Sequence, residues 1–183
     1  MILAFDISTA AIGVALLNAD GTLHSLDVID LSKIKTGLFD KAAIVKVYLT
    51  KIKLNYKINN VYIEEALVKM RRGKSTAATI STLLKFNGIC SYIIEEVLSI
   101  KPVFILAPHA RKVCGMIVTK QEKKRIGIKP IVMNHVISLL GSQFEITRTR
   151  TGSVKSTTYD RADSYILALA GYKKFHAATK QQA

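Results

Sequence analysis

The chain of 183 residues is long enough to bury a substantial core and is close to the usual size of one domain. Hydrophobic residues make up 49% of it, which excludes a disordered protein, and its two cysteines exclude a disulfide framework. The formal net charge of +14 favours a polyanionic partner, because Lys and Arg that neutralise phosphates release counterions. A generally basic protein or a polybasic membrane-surface patch is the alternative explanation of this charge.

The apolar runs are short. The longest, residues 2–5 and 166–170, fall well below the length of a membrane span. The N-terminus enters an apolar run directly and reaches Asp6 without the basic segment of a secretory signal. We therefore expect a soluble, intracellular protein with no membrane partner.

Three strands are predicted at the start of the chain. Residues 2–6 and 12–17 are apolar runs, and the turn at residues 18–21 leads into a third strand at residues 22–31. Apolar residues then recur at helical spacing between residues 38 and 56. This part of the chain predicts three antiparallel strands followed by a helix.

The rest of the chain alternates strands and helices. Residues 61–63 predict a fourth strand that ends at Glu64, and residues 103–106 a fifth. Helices are expected at residues 75–98, from Pro108 to residue 113, at 131–140 and at 159–174, with an exposed loop at 145–158. The result is one mixed sheet covered by helices, a single domain over residues 1–175, with residues 176–183 as a frayed tail.

Basic residues cluster at three places between the apolar elements, in segments typical of loops or helix starts. These candidates for phosphate contacts are Arg71, Arg72 and Lys74, then Lys120, Lys123, Lys124 and Arg125, and finally Arg148, Arg150 and Lys155.

Four acids occupy unusual positions. Asp6 and Glu64 each end an apolar strand, and Asp160 and Asp163 share one face of the last predicted helix. Asp163 also lies on the stripe of that helix that should face the core, where a carboxylate is costly unless it is paired or binds a metal. Each acid alone has an ordinary alternative, such as a turn, a lysine pair or a helix cap. Together, they predict an oxygen-ligand site for Mg²⁺ or Mn²⁺.

Glu65 competes with Glu64 for a place in this site. Because side chains alternate along a strand, the two carboxylates point to opposite faces of the sheet and only one can reach the metals.

The ordered motifs resemble those of the RuvC-type Holliday junction resolvases, which belong to the RNase H-like nuclease superfamily. The resemblance rests on Asp6 followed by Gly13 seven residues later, on the strand end Tyr-Ile-Glu at residues 62–64, on Ala-Pro and then Lys-Val in residues 107–113, and on the Asp-x-x-Asp helix at residues 160–163. These motifs span nearly the whole chain and favour Glu64 over Glu65. The chain departs from the family at Ile7-Ser8, where Pro-Gly is common, and at Leu67, where bacterial members place an aromatic residue near the junction.

The resemblance implies an RNase H-like fold with five strands, the first three antiparallel and the others parallel, flanked by helices. It implies that Asp6, Glu64, Asp160 and Asp163 bind two Mg²⁺ ions, which Mn²⁺ can replace, and that Lys112 and the lysines after Thr119 contact the scissile region or nearby phosphates. Arg111 is a further candidate for binding DNA. The resemblance further implies a homodimer that cuts four-way DNA junctions by paired phosphodiester hydrolysis, located wherever the DNA is, whether cytoplasm, nucleoid or a viral replication site.

Three alternatives remain open from the sequence. A related nuclease would act on flaps, forks or RNA–DNA hybrids, and a non-catalytic protein would bind branched DNA through the same basic surface. The Asp-x-Ser-Thr sequence at residues 6–9 also resembles the first phosphate-binding motif of actin-like ATPases, but the chain has no clear Gly-Gly pair for an adenosine site.

Overall fold

The structure is a computed structural model that describes residues 1–66 and 76–180, with side chains described up to residue 174. The strands are β1 (Ile2–Ile7), β2 (Ala11–Leu17), β3 (Leu23–Asp30), β4 (Asn60–Glu64) and β5 (Val103–Ile105). The helices are α1 (Leu38–Asn55), α2 (Ala77–Leu98), α3 (Ala107–Val113), α4 (Lys120–Ile126), α5 (Ile128–Leu140) and α6 (Ser156–Lys180).

The strands form one mixed sheet in the order β3-β2-β1-β4-β5. β2 pairs antiparallel with both β1 and β3, whereas β1 and β4 pair in parallel, as do β4 and β5. The predicted architecture of three antiparallel strands followed by parallel ones is therefore confirmed. β1 and β2 are nearly continuous apolar runs because both of their faces are covered.

Alternation along the strands divides the core into two layers. Leu3, Phe5 and Ile63 point to the face that α1 and α2 cover. Ile2, Ala4 and Tyr62 point to the other face, where α3, α5 and α6 pack.

α6 crosses its face of the sheet at two glycines. A Cβ at Gly13 in β2 would lie 2.0 Å from the carbonyl oxygen of Asp160, and one at Gly171 would lie 2.2 Å from the ring of Tyr62. The hydroxyl of Tyr62 donates a hydrogen bond of 3.2 Å to the carbonyl of Gly171. Only glycine allows the helix to approach the sheet this closely.

Two helices differ from the sequence prediction. α4 was not predicted, because it has no buried residue and so no apolar periodicity; it begins where Thr119 accepts a hydrogen bond of 3.1 Å from the backbone N–H of Glu122. α5 begins at Ile128 rather than residue 131, because Pro130 lies in its first turn, where no backbone donor is needed.

The segment predicted as an exposed loop at residues 145–158 is partly ordered. Arg148 and Val154 form an antiparallel bridge, and α6 begins at Ser156 rather than at residue 159. α6 also continues to Lys180, beyond the predicted end at residue 174.

α2 is apolar enough, by length and composition, to cross a membrane, which the sequence analysis did not foresee. Core helices of soluble proteins are often equally long and apolar, so one such helix is weak evidence of a membrane span. The C-terminal half of α2 packs into the core through Phe86, Cys90 and Ile94, whereas its first residues are mostly exposed.

Candidate active site

Asp6 and Glu64 are brought together by the parallel pairing of β1 and β4. Phe5 pairs with Ile63, so Asp6 and Glu64 occupy the next position of the same register, near the carboxyl ends of both strands. Neighbouring strands lie about 4.8 Å apart, and side chains at matching positions point to the same face. The two carboxylates therefore lie side by side on the face that α6 covers.

α6 adds the other two predicted acids. Asp160 and Asp163 line the same open cleft as Asp6 and Glu64, and the cleft has a volume of about 360 Å³. The Asp160 side chain is only 13% exposed. All four predicted acids, from three separate elements, thus border one cavity, which Ser8 and Asn87 also line.

The electrostatics of the cleft disfavour so many negative charges. Burial, and then repulsion from Glu64, Asp163 and Asp160, holds the pKa of Asp6 well above its usual value. Burial and the nearby Asp163 raise the pKa of Glu64 to about 7. Burial raises the pKa of Asp163 to about 6, against the attraction of Lys129 and Arg111. A bound cation would stabilise the ionised form of these buried, mutually repelling carboxylates.

Lys129 is a site residue that the sequence analysis missed. Its ammonium lies 3.2 Å from Oδ1 of Asp160, and the side chain lines the cleft. Burial acts to lower the pKa of Lys129, but the carboxylates of Asp160, Asp163 and Asp6 raise it overall. The helix was predicted to begin at residue 131, so Lys129 fell in a connecting segment and its position near Asp160 could not be inferred.

The side chains of Glu64 and Glu65 point in different directions, as the alternation of side chains along a strand requires. Glu64 lines the cleft, whereas Glu65 is exposed and its backbone N–H donates a 3.0 Å hydrogen bond to the carbonyl of Ile105. Asn87 of α2 donates to the carbonyl of Glu64 at 3.3 Å and so supports the end of β4.

The cleft suits a hard cation by ligand type and charge. Four carboxylates supply the oxygen ligands that Mg²⁺ and Mn²⁺ prefer, and the positive charges of Lys129 and Arg111 do not balance them. Within residues 1–66 and 76–180, no three acidic, imidazole or thiol groups lie close enough to bind one ion as they stand. Coordination by these acids therefore requires their side chains to rotate towards a common point.

The predicted phosphate contacts are spread around the protein. Arg111 in α3 is partly buried, and its positive charge acts to lower the pKa values of Glu64 and Asp163, although it does not line the cleft. The exposed ones are Lys112 in α3, Lys120, Lys123, Lys124 and Arg125 in α4, and Arg148, Arg150 and Lys155 before α6. Arg71, Arg72 and Lys74 lie outside the described residues.

A second cavity, of about 440 Å³, lies at the opposite end of the sheet, between the C-terminal ends of α1 and α2. Its lining includes Lys53, Leu54 and Lys57 but no carboxylate. None of the four predicted acids lines this second cavity.

No protein-family model matches the sequence, and no curated protein matches it. Solved structures do match. RuvC from Thermus thermophilus aligns over 97% of this chain and 96% of its own, with a TM-score of 0.59 and 13% identity. T. thermophilus RuvC in complex with a Holliday junction substrate aligns over the same shares, with a TM-score of 0.61 and 11% identity.

The yeast mitochondrial Holliday junction resolvase Ydc2 aligns with 99% of this chain and 83% of its own, with a TM-score of 0.54 and 14% identity. At these identities the similarity shows the fold. The predicted RNase H-like fold is confirmed, and with it the architectural resemblance to RuvC-type resolvases.

Proposed function

We propose that the chain is a divalent-metal-dependent endonuclease that cuts four-way DNA junctions. The observation that carries the proposal is the meeting of Asp6, Glu64, Asp160 and Asp163 in one cleft. The fold adds support, because it is shared with RuvC solved on a Holliday junction substrate. The net charge of +14 fits a nucleic-acid substrate.

The four carboxylates would hold two Mg²⁺ ions, with Mn²⁺ able to replace them. When bound, such ions supply an activated water and neutralise charge on the leaving oxygen of a phosphodiester. Asp6 and Glu64 project from adjacent strands inside the sheet, whereas Asp160 and Asp163 are carried by α6. Lys129, which lines the cleft, and Arg111, whose charge acts on Glu64 and Asp163, would attract the phosphate.

The exposed basic residues of α3, of α4 and of the segment before α6 would contact the DNA backbone. Lys112 follows Arg111 in α3, and α4 carries four basic residues without a buried side chain. Contacts to phosphates carry no sequence information but set the orientation of the duplex. Binding should therefore weaken steeply as the salt concentration rises.

We further propose that the protein acts as a homodimer, since a two-fold dimer matches a two-fold junction. The outer face of α2 supports this. Leu84 is 38% exposed and Tyr92 69% exposed, and the two lie eight residues apart on one side of the helix. An apolar face of this kind on a soluble protein commonly marks an interaction surface.

Cleavage of a labelled synthetic four-way junction tests the nuclease proposal. The wild type, Asp6→Asn and Asp20→Asn would each be assayed with Mg²⁺ and with EDTA. Asp20 lies in the turn between β2 and β3, away from the cleft, and serves as the matched control. We expect paired, symmetric nicks that need metal, persist in Asp20→Asn and are lost in Asp6→Asn.

Other results would select the alternatives. Preferential cutting of flaps, forks or RNA–DNA hybrids would retain the chemistry and change the substrate. Tight junction binding without cutting under any divalent metal would make the chain a non-catalytic DNA-binding protein. A chain that does not bind junctions at all would favour the ATPase alternative.

A further inference from the structure

The basic segment before α6 is an ordered hairpin, which we define as residues 147–155. The backbone N–H of Thr149 donates to the carbonyl of Ser153 at 2.8 Å, and that of Gly152 donates to the carbonyl of Thr149 at 3.0 Å. Gly152 has a φ of 83°, as expected for the glycine that closes a three-residue hairpin loop. Arg150 therefore stands at the tip of a shaped loop.

The hairpin is tied to the first turn of α6. Thr158 is fully buried, and its hydroxyl bonds both the N–H and the carbonyl of Thr147 at 3.2 Å. The backbone N–H of Lys155 donates to the same carbonyl at 2.9 Å. Both strands of the hairpin are thus anchored two residues before Asp160.

Arg161 completes this attachment from inside α6. Its Nη2 donates to the carbonyl of Glu145 at 2.8 Å and to the hydroxyl of Thr147 at 2.9 Å. The guanidinium lies 5.9 Å from the centre of the buried Phe144 ring. Arg161 is next to Asp160 in sequence but contacts the hairpin side, whereas Asp160 lines the cleft.

We propose that Arg161 is a positioning residue that holds the basic hairpin at a fixed distance from Asp160 and Asp163, and thereby determines which phosphodiester enters the cleft. The hairpin carries three cationic side chains, so the phosphates that it binds are placed at a set separation from the carboxylates. Displacement of a catalytic centre by about 1 Å is enough to impair a reaction. This inference rests on the proposed nuclease function.

The test compares Arg161→Met with Arg161→Lys, Thr158→Val and the control Lys53→Met. Lys53→Met removes the same charge at the opposite end of the sheet. Cut positions would be mapped on a labelled immobile four-way junction, in which branch migration cannot occur. Amide hydrogen exchange of residues 147–158 would be followed on the free proteins.

We expect Arg161→Met to spread the cuts over neighbouring phosphodiesters and to speed exchange of the hairpin amides about tenfold. Thr158→Val should act in the same direction, because it removes the second attachment while keeping the side-chain shape. Arg161→Lys should restore part of the cut precision, since lysine retains the charge but not the planar guanidinium that lies near the Phe144 ring and directs Nη2 at two acceptors. Lys53→Met should reproduce the wild-type cut positions and exchange.

Two results would overturn the proposal. Unchanged hairpin exchange in Arg161→Met would show that Arg161 does not hold the hairpin. Faster exchange with wild-type cut positions would show that the hairpin does not select the phosphodiester. A wild-type chain that cuts no junction would refute the nuclease function instead, and the exchange data would still report on the attachment.

Discussion

Gly13 and Asp160 are in such close contact that a Cβ on Gly13 would lie 2.0 Å from the Asp160 carbonyl oxygen. Gly13 is also the β2 partner of Asp6. The missing side chain therefore lets α6 place Asp160 next to the strand that carries Asp6. We predict that Gly13→Ala lowers the free energy of unfolding by about 3 kcal/mol, through overpacking against backbone, and reduces cleavage at least tenfold.

Urea denaturation and junction cleavage would measure both effects. Ala43→Ser is the matched control, because it also adds one heavy atom, at an exposed position of α1. It should change the free energy of unfolding by less than about 1 kcal/mol. Equal stability of Gly13→Ala and the wild type would contradict the close packing of α6 on β2.

Lys129 should set the lower pH limit of activity. Its attraction lowers the pKa values of Asp6, Glu64 and Asp163, and metal ligands must be ionised. We predict that Lys129→Met moves the acidic limb of the pH–rate profile upward by roughly half a unit. The control Lys101→Met removes a charge before β5 and should leave the acidic limb of the profile unchanged. If Lys129→Met also leaves it unchanged, Lys129 does not set the lower pH limit.

The carboxylates of the cleft should destabilise the metal-free protein as the pH rises. At low pH, Glu64 and Asp163 are protonated in both the folded and unfolded states and have no effect. Above the ordinary pKa values of these carboxyl groups, near 4, the unfolded chain releases the protons while the folded chain still binds them. The free energy of unfolding therefore falls as the pH rises, until the pH passes about 7 for Glu64 and about 6 for Asp163.

We therefore predict that Asp163→Asn is more stable than the wild type in EDTA at pH 8, by on the order of 1–2 kcal/mol, although it should not cut DNA. The difference should vanish near pH 4. Mg²⁺ should stabilise the wild type much more than the variant, because only the wild type has the full ligand set. Urea denaturation at the two pH values measures this, and a variant less stable than the wild type at pH 8 would reject the explanation.

The two adjacent glutamates provide a charge-matched comparison. We predict that Glu64→Gln reduces junction cleavage by about a hundredfold or more, because a metal ligand is lost. Glu65→Gln should stay within roughly threefold of the wild type, since the Glu65 side chain is exposed and its bond to Ile105 uses the backbone. Single-turnover cleavage rates distinguish them, and a larger loss for Glu65→Gln would reverse the assignment.

The sequence alone was enough to predict the order of the strands and long helices, because apolar periodicity is a local property. It also singled out four acids: Asp6 and Glu64 end apolar strands, and Asp160 shares a helix face with Asp163, which lies on a core-facing stripe. α4 escaped prediction because a helix without a buried face leaves no periodic pattern. The roles assigned to the four acids remain predictions for the experiments above.

Only the tertiary structure decided which groups meet. The parallel register of β1 and β4 places Asp6 beside Glu64, a pairing between segments almost sixty residues apart that no local pattern specifies. The position of Lys129 against Asp160, and the attachment of the basic hairpin by Arg161, likewise depend on how α5 and α6 pack. Periodicity determines which face of an element is buried, whereas long-range packing determines which charges face one another across the cleft.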